Sequence, residues 1–305
     1  MTNQLKAVLF PGQGSQEQGM GRNLAEAYSG AMELWKMAEA ASGQPLREIF
    51  WDKDSAERDQ TRYVQPAMSA VNLGLWFYHR SRINPGFLAG HSLGEFSALC
   101  AAGILEAEDT LKLTALRGRL MAEVDPDSTG GMAAVLKLDK DRVEELVAQV
   151  AGNNQVLLIA NYNTPGQFVV SGEKKALKHL EPLIREAKGK MITLSVSGAF
   201  HSPMMREAAK ELAGFMDRLN WKTPQTTLFF NSTADTEHNP EMIKKIMSDQ
   251  MTSPVYFAQL IENMHEQGAT DFVELGPKGV LTRMIPQILG RDADIKSRNI
   301  SGPEY

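Results

Sequence analysis

Cysteine is almost missing from this chain: Cys100 stands alone among 305 residues. A single thiol excludes an intrachain disulfide framework and fits a reducing compartment such as the cytoplasm. Long apolar runs are missing as well. No segment is long enough to span a bilayer, and the start of the chain, with one Lys before a strand-like run, does not read as a signal peptide. Basic charge is not in excess either: 32 Lys and Arg stand against 37 Asp and Glu, a net charge of -5. That argues against nucleic acid as the main partner, because phosphate binding asks for a basic footprint. No internal repeat or low-complexity tract occurs, and no spacing of His, Cys or carboxylates suits a metal. What is present, at 43% hydrophobic and 23% charged, is ordinary globular composition with enough chain for a buried core.

Short apolar runs alternate with helical patterns, which predicts an α/β fold with a mostly parallel sheet. Ala7 to Phe10 reads as a first strand that ends in the turn Pro11-Gly12-Gln13-Gly14-Ser15. Helical periodicity follows over Ala25 to Glu39 and Pro66 to His79. Phe87 to Ala89 is a short buried strand entering Gly90-His91-Ser92-Leu93-Gly94, with helices expected over Glu95 to Ala102 and Ala107 to Val124. Six elements then run strand, helix, strand, strand, helix, strand, from Met132 to Val196. That order is ferredoxin-like. It marks Gly131 to Ser197 as an inserted small subdomain, residues 128–197 with part of its leading linker. Residues 1–127 and 198–305 then form one discontinuous, larger catalytic subdomain. Pro203 to Leu219, Met242 to Met251 and Pro254 to Glu266 read as its later helices, and Leu228 to Asn231 and Asp271 to Leu275 as its later strands. The tail after Arg291 shows no clear pattern and is expected to fray or pack loosely.

Gly90-His91-Ser92-Leu93-Gly94 has the form of a nucleophile elbow. A serine on a sharp strand-to-helix turn needs small neighbours, and its hydroxyl then stands over helix N–H groups able to stabilise an oxyanion. A five-residue pattern alone is weak; its place between a buried strand and a helix strengthens it. The hydroxyl needs a base. Of six histidines, His91 adjoins the serine and should point away from it. His79, His179, His238 and His265 read as solvated surface. His201 lies in a loop where the inserted segment returns to the main one, a good position for a base facing a cleft.

Seven motifs now stand in order: Phe10-Pro11-Gly12-Gln13-Gly14-Ser15-Gln16, Gly90 to Glu95, Arg117-Gly118, Asn161 to Gly166, Phe200-His201, Gln250, and Glu274 to Pro277. Together they resemble the malonyl-CoA:acyl-carrier-protein transacylases of fatty acid synthesis and the acyltransferase domains of polyketide synthases, from about Ala7 to Leu289. The resemblance implies an α/β-hydrolase-like large subdomain. It implies transfer of malonyl from coenzyme A to the phosphopantetheine thiol of acyl carrier protein, in ping-pong fashion through malonyl-Ser92. His201 would be the general base and Gln250 an orienting residue. The Gln13 and Leu93 N–H groups would form the oxyanion hole, and Arg117 would grip the malonyl carboxylate. Phe200, whose ring would exclude an added methyl, and Asn163 are expected in the substrate pocket. The resemblance implies no cofactor beyond the carrier's phosphopantetheine, and a monomer.

From the sequence alone Arg117 reads as a helix-surface ion pair. Gly276-Pro277-Lys278-Gly279 permutes the more usual Gly-Pro-Gly-Lys order, which bears on loop geometry. Lys174, Lys175, Lys178, Arg185, Lys188 and Lys190 give one helix and its exit a basic bias that could receive an acidic carrier or coenzyme A phosphates. A solvated face is the plainer reading. Cys100 reads as a small core residue. Three rivals stand beside the transferase: an acyl-thioester hydrolase, a trans-acting polyketide acyltransferase, and a non-catalytic carrier-binding module. Arg117 discriminates against the hydrolase, which has no reason to bury a carboxylate partner.

Overall fold

The structure, a computed structural model, describes residues 5–52, 56–152 and 155–304. The outermost ends of the expected larger unit, 1–4 and 305, lie outside the described residues. In chain order the elements are β1 (Leu5–Phe10), α1 (Arg22–Ala27), α2 (Ser29–Ser42), α3 (Thr61–Ile83), β2 (Phe87–Gly90), α4 (Gly94–Ala101) and α5 (Ala107–Glu123). Next come β3 (Gly130–Leu136), α6 (Lys140–Ala151), β4 (Leu157–Thr164), β5 (Gln167–Glu173), α7 (Lys174–Glu186) and β6 (Lys190–Thr193). The chain closes with α8 (Arg206–Met216), β7 (Thr227–Leu228), α9 (Pro240–Asp249), α10 (Phe257–Glu266), β8 (Ala269–Leu275), α11 (Ile285–Leu289) and β9 (Lys296–Ile300).

Five strands form one parallel sheet in the order β7-β2-β1-β8-β9. Its central strand is apolar on both faces because both are covered. Val8 and Phe10 pack into the core built by α1 to α5 and α8, while Ala7 and Leu9 pack against α10 and α11. The second sheet is antiparallel, ordered β4-β5-β3-β6. One of its faces carries Ala133, Val135, Ile159 and Val170 into a core shared with α6 and α7. Met132 and Val169, pointing the other way, join the main core. The small sheet therefore lies with its back against the large unit.

Several boundaries differ from the sequence reading, each for a local reason. The helix expected over Ala25 to Glu39 is broken at Tyr28, which is extended at φ -136°. The Tyr28 ring folds over Gly30, where a Cβ would come within 2.4 Å of it. Helix α3 begins at Thr61, five residues before Pro66, and carries that proline inside. Strand β7 ends at Leu228, and Asn231 leaves the ladder for a role described below. The tail is ordered: Lys296–Ile300 is an edge strand parallel to β8. Within it Ile300 alone is buried, so the segment lacks an apolar stripe by which to read it. The tail also corrects His79, which is buried, its Nε2 2.8 Å from the Gly302 carbonyl.

Strands β1 and β2 are neighbours in register, Phe10 opposite Gly90. The Gly-rich turn and the elbow therefore emerge side by side at the carboxyl ends of parallel strands, where open α/β sheets place their sites. The approach is close enough to require glycine: a Cβ on Gly94 would lie 1.9 Å from the Phe10 carbonyl oxygen. Gly214, inside α8, meets nothing within 4 Å. Gly94→Ala should therefore fail to fold or melt far below the parent. Gly214→Ala should gain about 0.5–1 kcal/mol from helix propensity. Denaturant unfolding of the two variants checks the pair; a Gly94→Ala protein of parental stability would contradict the packing described.

Candidate active site

Ser92 sits between β2 and α4 at φ +50°, in the left-handed region that costs a non-glycine residue about 1–3 kcal/mol. Its Oγ lies 2.7 Å from His201 Nε2. His201, also left-handed at φ +57°, turns its Nδ1 to two carbonyls, Ser253 at 2.9 Å and Gln250 at 3.1 Å. Carbonyls only accept, so Nδ1 carries the ring proton and Nε2 is free to accept from the serine hydroxyl. Among the described residues no carboxylate takes part in holding the ring. Burial, and then the Arg117 charge, push the His201 imidazole down to about 3. The ring is neutral throughout the physiological range.

Arg117 is 1% exposed, which corrects the surface ion pair read from its helix. Its Nη1 donates to Gln65 Oε1 at 2.8 Å and its Nη2 to Gln250 Oε1 at 3.1 Å, with Ser92 Oγ at 3.4 Å. The guanidinium also lies over the Phe96 ring, 5.4 Å from its centroid. Burial pulls Arg117 down to about 10, with Glu95 acting in the opposite direction. Its Nε–H is buried and has no acceptor among the described residues. A cation with an unsatisfied donor beside a nucleophile is a built place for an anionic group.

A cleft of about 260 Å³ opens over these groups. Gln13, Ser92, Leu93, Arg117, Asn163, Phe200 and His201 all line it. Among the described residues neither the Gln13 nor the Leu93 N–H donates to a protein acceptor, so both remain available to a ligand oxygen. Gln13 Nε2 is tied to Thr61 Oγ1 at 3.1 Å. His91 turns from the serine, its Nε2 2.8 Å from Asn163 Oδ1. Phe200, 5% exposed, stands immediately before the base. Gln250 lies behind the serine, donating from Nε2 to the Ser92 carbonyl at 2.9 Å. Val280 and Leu281 complete one wall. Their loop hangs on the buried Glu274, which accepts from the Val280 and Thr282 N–H groups at 3.0 and 2.8 Å. The permuted turn has a visible consequence there: Lys278 itself adopts φ +64° before Gly279.

Three residues the sequence reading assigned no role complete the surroundings. Gln65 holds Arg117 from α3. Asn231 Oδ1 accepts the Ser92 N–H at 2.7 Å, and Glu95 is fully buried behind the elbow. Glu95 stood inside the quoted Gly90–Glu95 motif; Gln65 and Asn231 had no local signal. Cys100 is buried on α4, its thiol pushed up to about 12 by burial, an inert core residue. Among the described residues no three His, Cys, Asp or Glu side chains gather as a metal site, and no helix is long and apolar enough to cross a membrane.

The chain is similar to known proteins over nearly its whole length. Residues 8–303 match the family described as acyl transferase domain. A malonyl CoA-acyl carrier protein transacylase of Bacillus subtilis is 36% identical over 300 residues, 98% of this chain and 94% of that one. The crystal structure of the malonyl-CoA:acyl carrier protein transacylase of Xanthomonas oryzae superposes with a TM-score of 0.92 at 35% identity, covering 99% of this chain and 96% of that one. A malonyl-transacylase in complex with its type II PKS acyl-carrier protein gives 0.92 at 31% identity, covering 98% and 96%.

The low His201 basicity has a measurable consequence for stability. A histidine depressed in the folded state stabilises fully above its unfolded value near 6.5 and loses that contribution as pH falls toward the folded value. At pH 5 the penalty is about 2 kcal/mol. His201→Asn, an exchange that tolerates a left-handed backbone, should lose less stability than the parent between pH 7 and pH 5. Equal losses in denaturant unfolding would show that His201 is not held neutral.

Proposed function

The chain belongs to the acyl transferase domain family, and from that premise we propose that it transfers malonyl from malonyl-CoA to the phosphopantetheine thiol of an acyl carrier protein. The observation that carries this reading is a serine hydroxyl 2.7 Å from a neutral histidine and 3.4 Å from a buried guanidinium. The first contact makes a nucleophile and the second selects an acyl group that ends in a carboxylate.

The reaction runs in two halves. His201 Nε2 takes the Ser92 proton as Oγ attacks the thioester carbonyl, and the oxyanion rests on the Gln13 and Leu93 N–H groups, each such donor worth about 3–4 kcal/mol of barrier. The intermediate collapses, the coenzyme A sulfur leaves with the proton from His201, and malonyl-Ser92 remains. The carrier's thiol then enters the same cleft, gives its proton to His201 and attacks the ester, and Ser92 recovers its proton as it leaves. Arg117 holds the malonyl carboxylate through both halves. Nucleophile, base and carboxylate partner are all side chains of this chain, so the scheme calls for no cofactor beyond the carrier's own prosthetic arm. Phe200 beside the base would crowd the substrate α-carbon, and Asn163, hydrogen-bonded to His91, also lines the cleft. A monomer in the cytoplasm, where a lone buried thiol stays reduced, is the setting that fits.

Incubation with labelled malonyl-CoA should give one covalent adduct on Ser92, discharged to added carrier protein. Release of free malonate in place of transfer would favour a hydrolase, and absence of an adduct would leave only binding. Arg117→Ala should lower kcat/KM for malonyl-CoA by about 10²-fold or more while acetyl-CoA is affected far less. Loss of both in equal measure would count against a carboxylate clamp.

The carrier's docking face is a separate question with its own observation. Lys174, Lys175, Lys178, Arg185, Lys188 and Lys190 are all exposed, and none bridges a carboxylate among the described residues. An acidic carrier fits such a face. Lys174→Glu with Lys178→Glu should raise the KM for carrier protein and leave malonyl-CoA acylation unchanged. An unaltered KM removes this face from consideration.

A further inference from the structure

We propose that Glu95 is a positioning residue for acyl transfer: its buried carboxylate, acting through Asn231 and Gln250, holds the Ser92 backbone at both its N–H and its C=O. The inference rests on the acyl-serine reading above. Glu95 lies in the first turn of α4 and is fully buried. Its Oε1 accepts from the Asn231 N–H at 2.7 Å and its Oε2 from Gln250 Nε2 at 2.9 Å. Each partner then turns to the serine. Asn231 Oδ1 accepts from the Ser92 N–H at 2.7 Å, while its Nδ2 donates to the Gly90 carbonyl at 2.6 Å. Gln250 Nε2 also donates to the Ser92 carbonyl at 2.9 Å, while its Oε1 accepts from Arg117 at 3.1 Å.

This network has one consistent arrangement of donors and acceptors. An amide in place of the carboxylate could still accept from Asn231, but its nitrogen would meet the Gln250 nitrogen, donor against donor. Turning Gln250 over would set its oxygen against the Ser92 carbonyl and its nitrogen against Arg117. Both ends would fail. A left-handed serine persists only where its surroundings over-determine it, and Glu95 is where the two clamps on Ser92 meet.

Protonation of the carboxyl breaks the same pattern, because one of its oxygens becomes a donor. Burial lifts Glu95 to about 7 against the opposing effects of Asn231, Gln250 and Arg117. Arg117, from α5, is the charged group acting on it among the described residues; Asn231 and Gln250, from the other elements packed there, are neutral. The ionised form makes both contacts, so acylation should rise with pH through about 7.

Glu95→Gln, with folding checked by thermal unfolding, is compared with the parent in two reactions. One is single-turnover acylation by malonyl-CoA. The other is labelling by an alkyl fluorophosphonate, in which Ser92 Oγ displaces fluoride from phosphorus and the hydroxyl proton passes to His201. Both rates should fall by about 10²-fold through misplacement of the nucleophile. Half-saturation by malonyl-CoA should stay within about threefold, since the loss lies in the chemical step. The acid limb near pH 7 should vanish. Where Glu95→Gln does not fold, Asn231→Ala removes the acceptor of the Ser92 N–H and should show the same loss of rate. A folded variant with both rates within about threefold of the parent overturns the proposal, as does a loss confined to half-saturation or an unchanged acid limb. A parent that takes the fluorophosphonate but not malonyl overturns the acyl assignment instead, and the fluorophosphonate rates then decide Glu95.

Discussion

A positive charge buried without an ion pair among the described residues is the constraint around which this cleft is arranged. Taking a guanidinium out of water costs several kcal/mol unless other groups take over its solvation. Here the compensation is partial. Two amide oxygens, the face of Phe96 and the more distant charge of Glu95 support Arg117, and one of its N–H groups is left over. The cation is held in place without being neutralised. It also acts on its neighbour, since Arg117 is, after burial, the main reason that His201 stays neutral. A dicarboxylic acyl group entering the cleft would remove this penalty and, by cancelling the charge, raise the basicity of His201 at the moment it is needed.

Charge alone does not explain the geometry, because both partners of the central contact have backbones in the left-handed region. Neither strain is intrinsic to its residue type. Ser92 is held at its N–H by Asn231 and at its C=O by Gln250. His201 is held at its ring by carbonyls of Gln250 and Ser253. Gln250 thus touches the nucleophile through its amide nitrogen, the base through its main-chain carbonyl, and Arg117 through its amide oxygen. A carboxylate on the histidine is unnecessary in this arrangement. The two carbonyls fix the tautomer, and they do so without the negative charge that would compete with a substrate carboxylate for Arg117.

The parts of this site legible in the sequence are those whose constraints are local. A serine elbow needs glycine on both sides, and Gly90 and Gly94 report that need directly, as their close backbone approaches show. His201 was singled out by its place in a loop at a junction. Strands β1, β2 and β8 of the large sheet and most helices follow from apolar runs and helical periodicity. Arg117 was misread from its own helix, because what buries it comes from α3, α4 and the segment after α9. Its role came from the resemblance alone. Gln65 and Asn231 were not legible at all. Gln65 meets Arg117 from 52 positions away, and Asn231 meets Gly90, Ser92 and Glu95 from 136 to 141 positions away, and nothing in the flanking sequence records either. The tail failed for a different reason: an edge strand with one buried side chain has no period to detect.

The segment that forms the small sheet is tied into the same chemistry more closely than its separate sheet requires. Strand β4 continues its hydrogen bonding beyond the small sheet: Val255 N–H donates to the Ala160 carbonyl at 2.8 Å, and Tyr162 N–H donates to the Val255 carbonyl at 2.9 Å. Val255 follows Ser253 by two residues, so the stretch that orients His201 is stitched to the strand that carries Asn163. From the other side, the loop that leaves β6 carries His201 itself back to the large unit, past Leu194 and Val196 on the cleft wall. The base is thus held between two crossings of one boundary, and a shift of the small sheet would move the pocket wall and the imidazole together. In such an arrangement the width available to the acyl group and the placement of the proton acceptor are set by the same backbone, which joins selection of the substrate to the chemistry done on it.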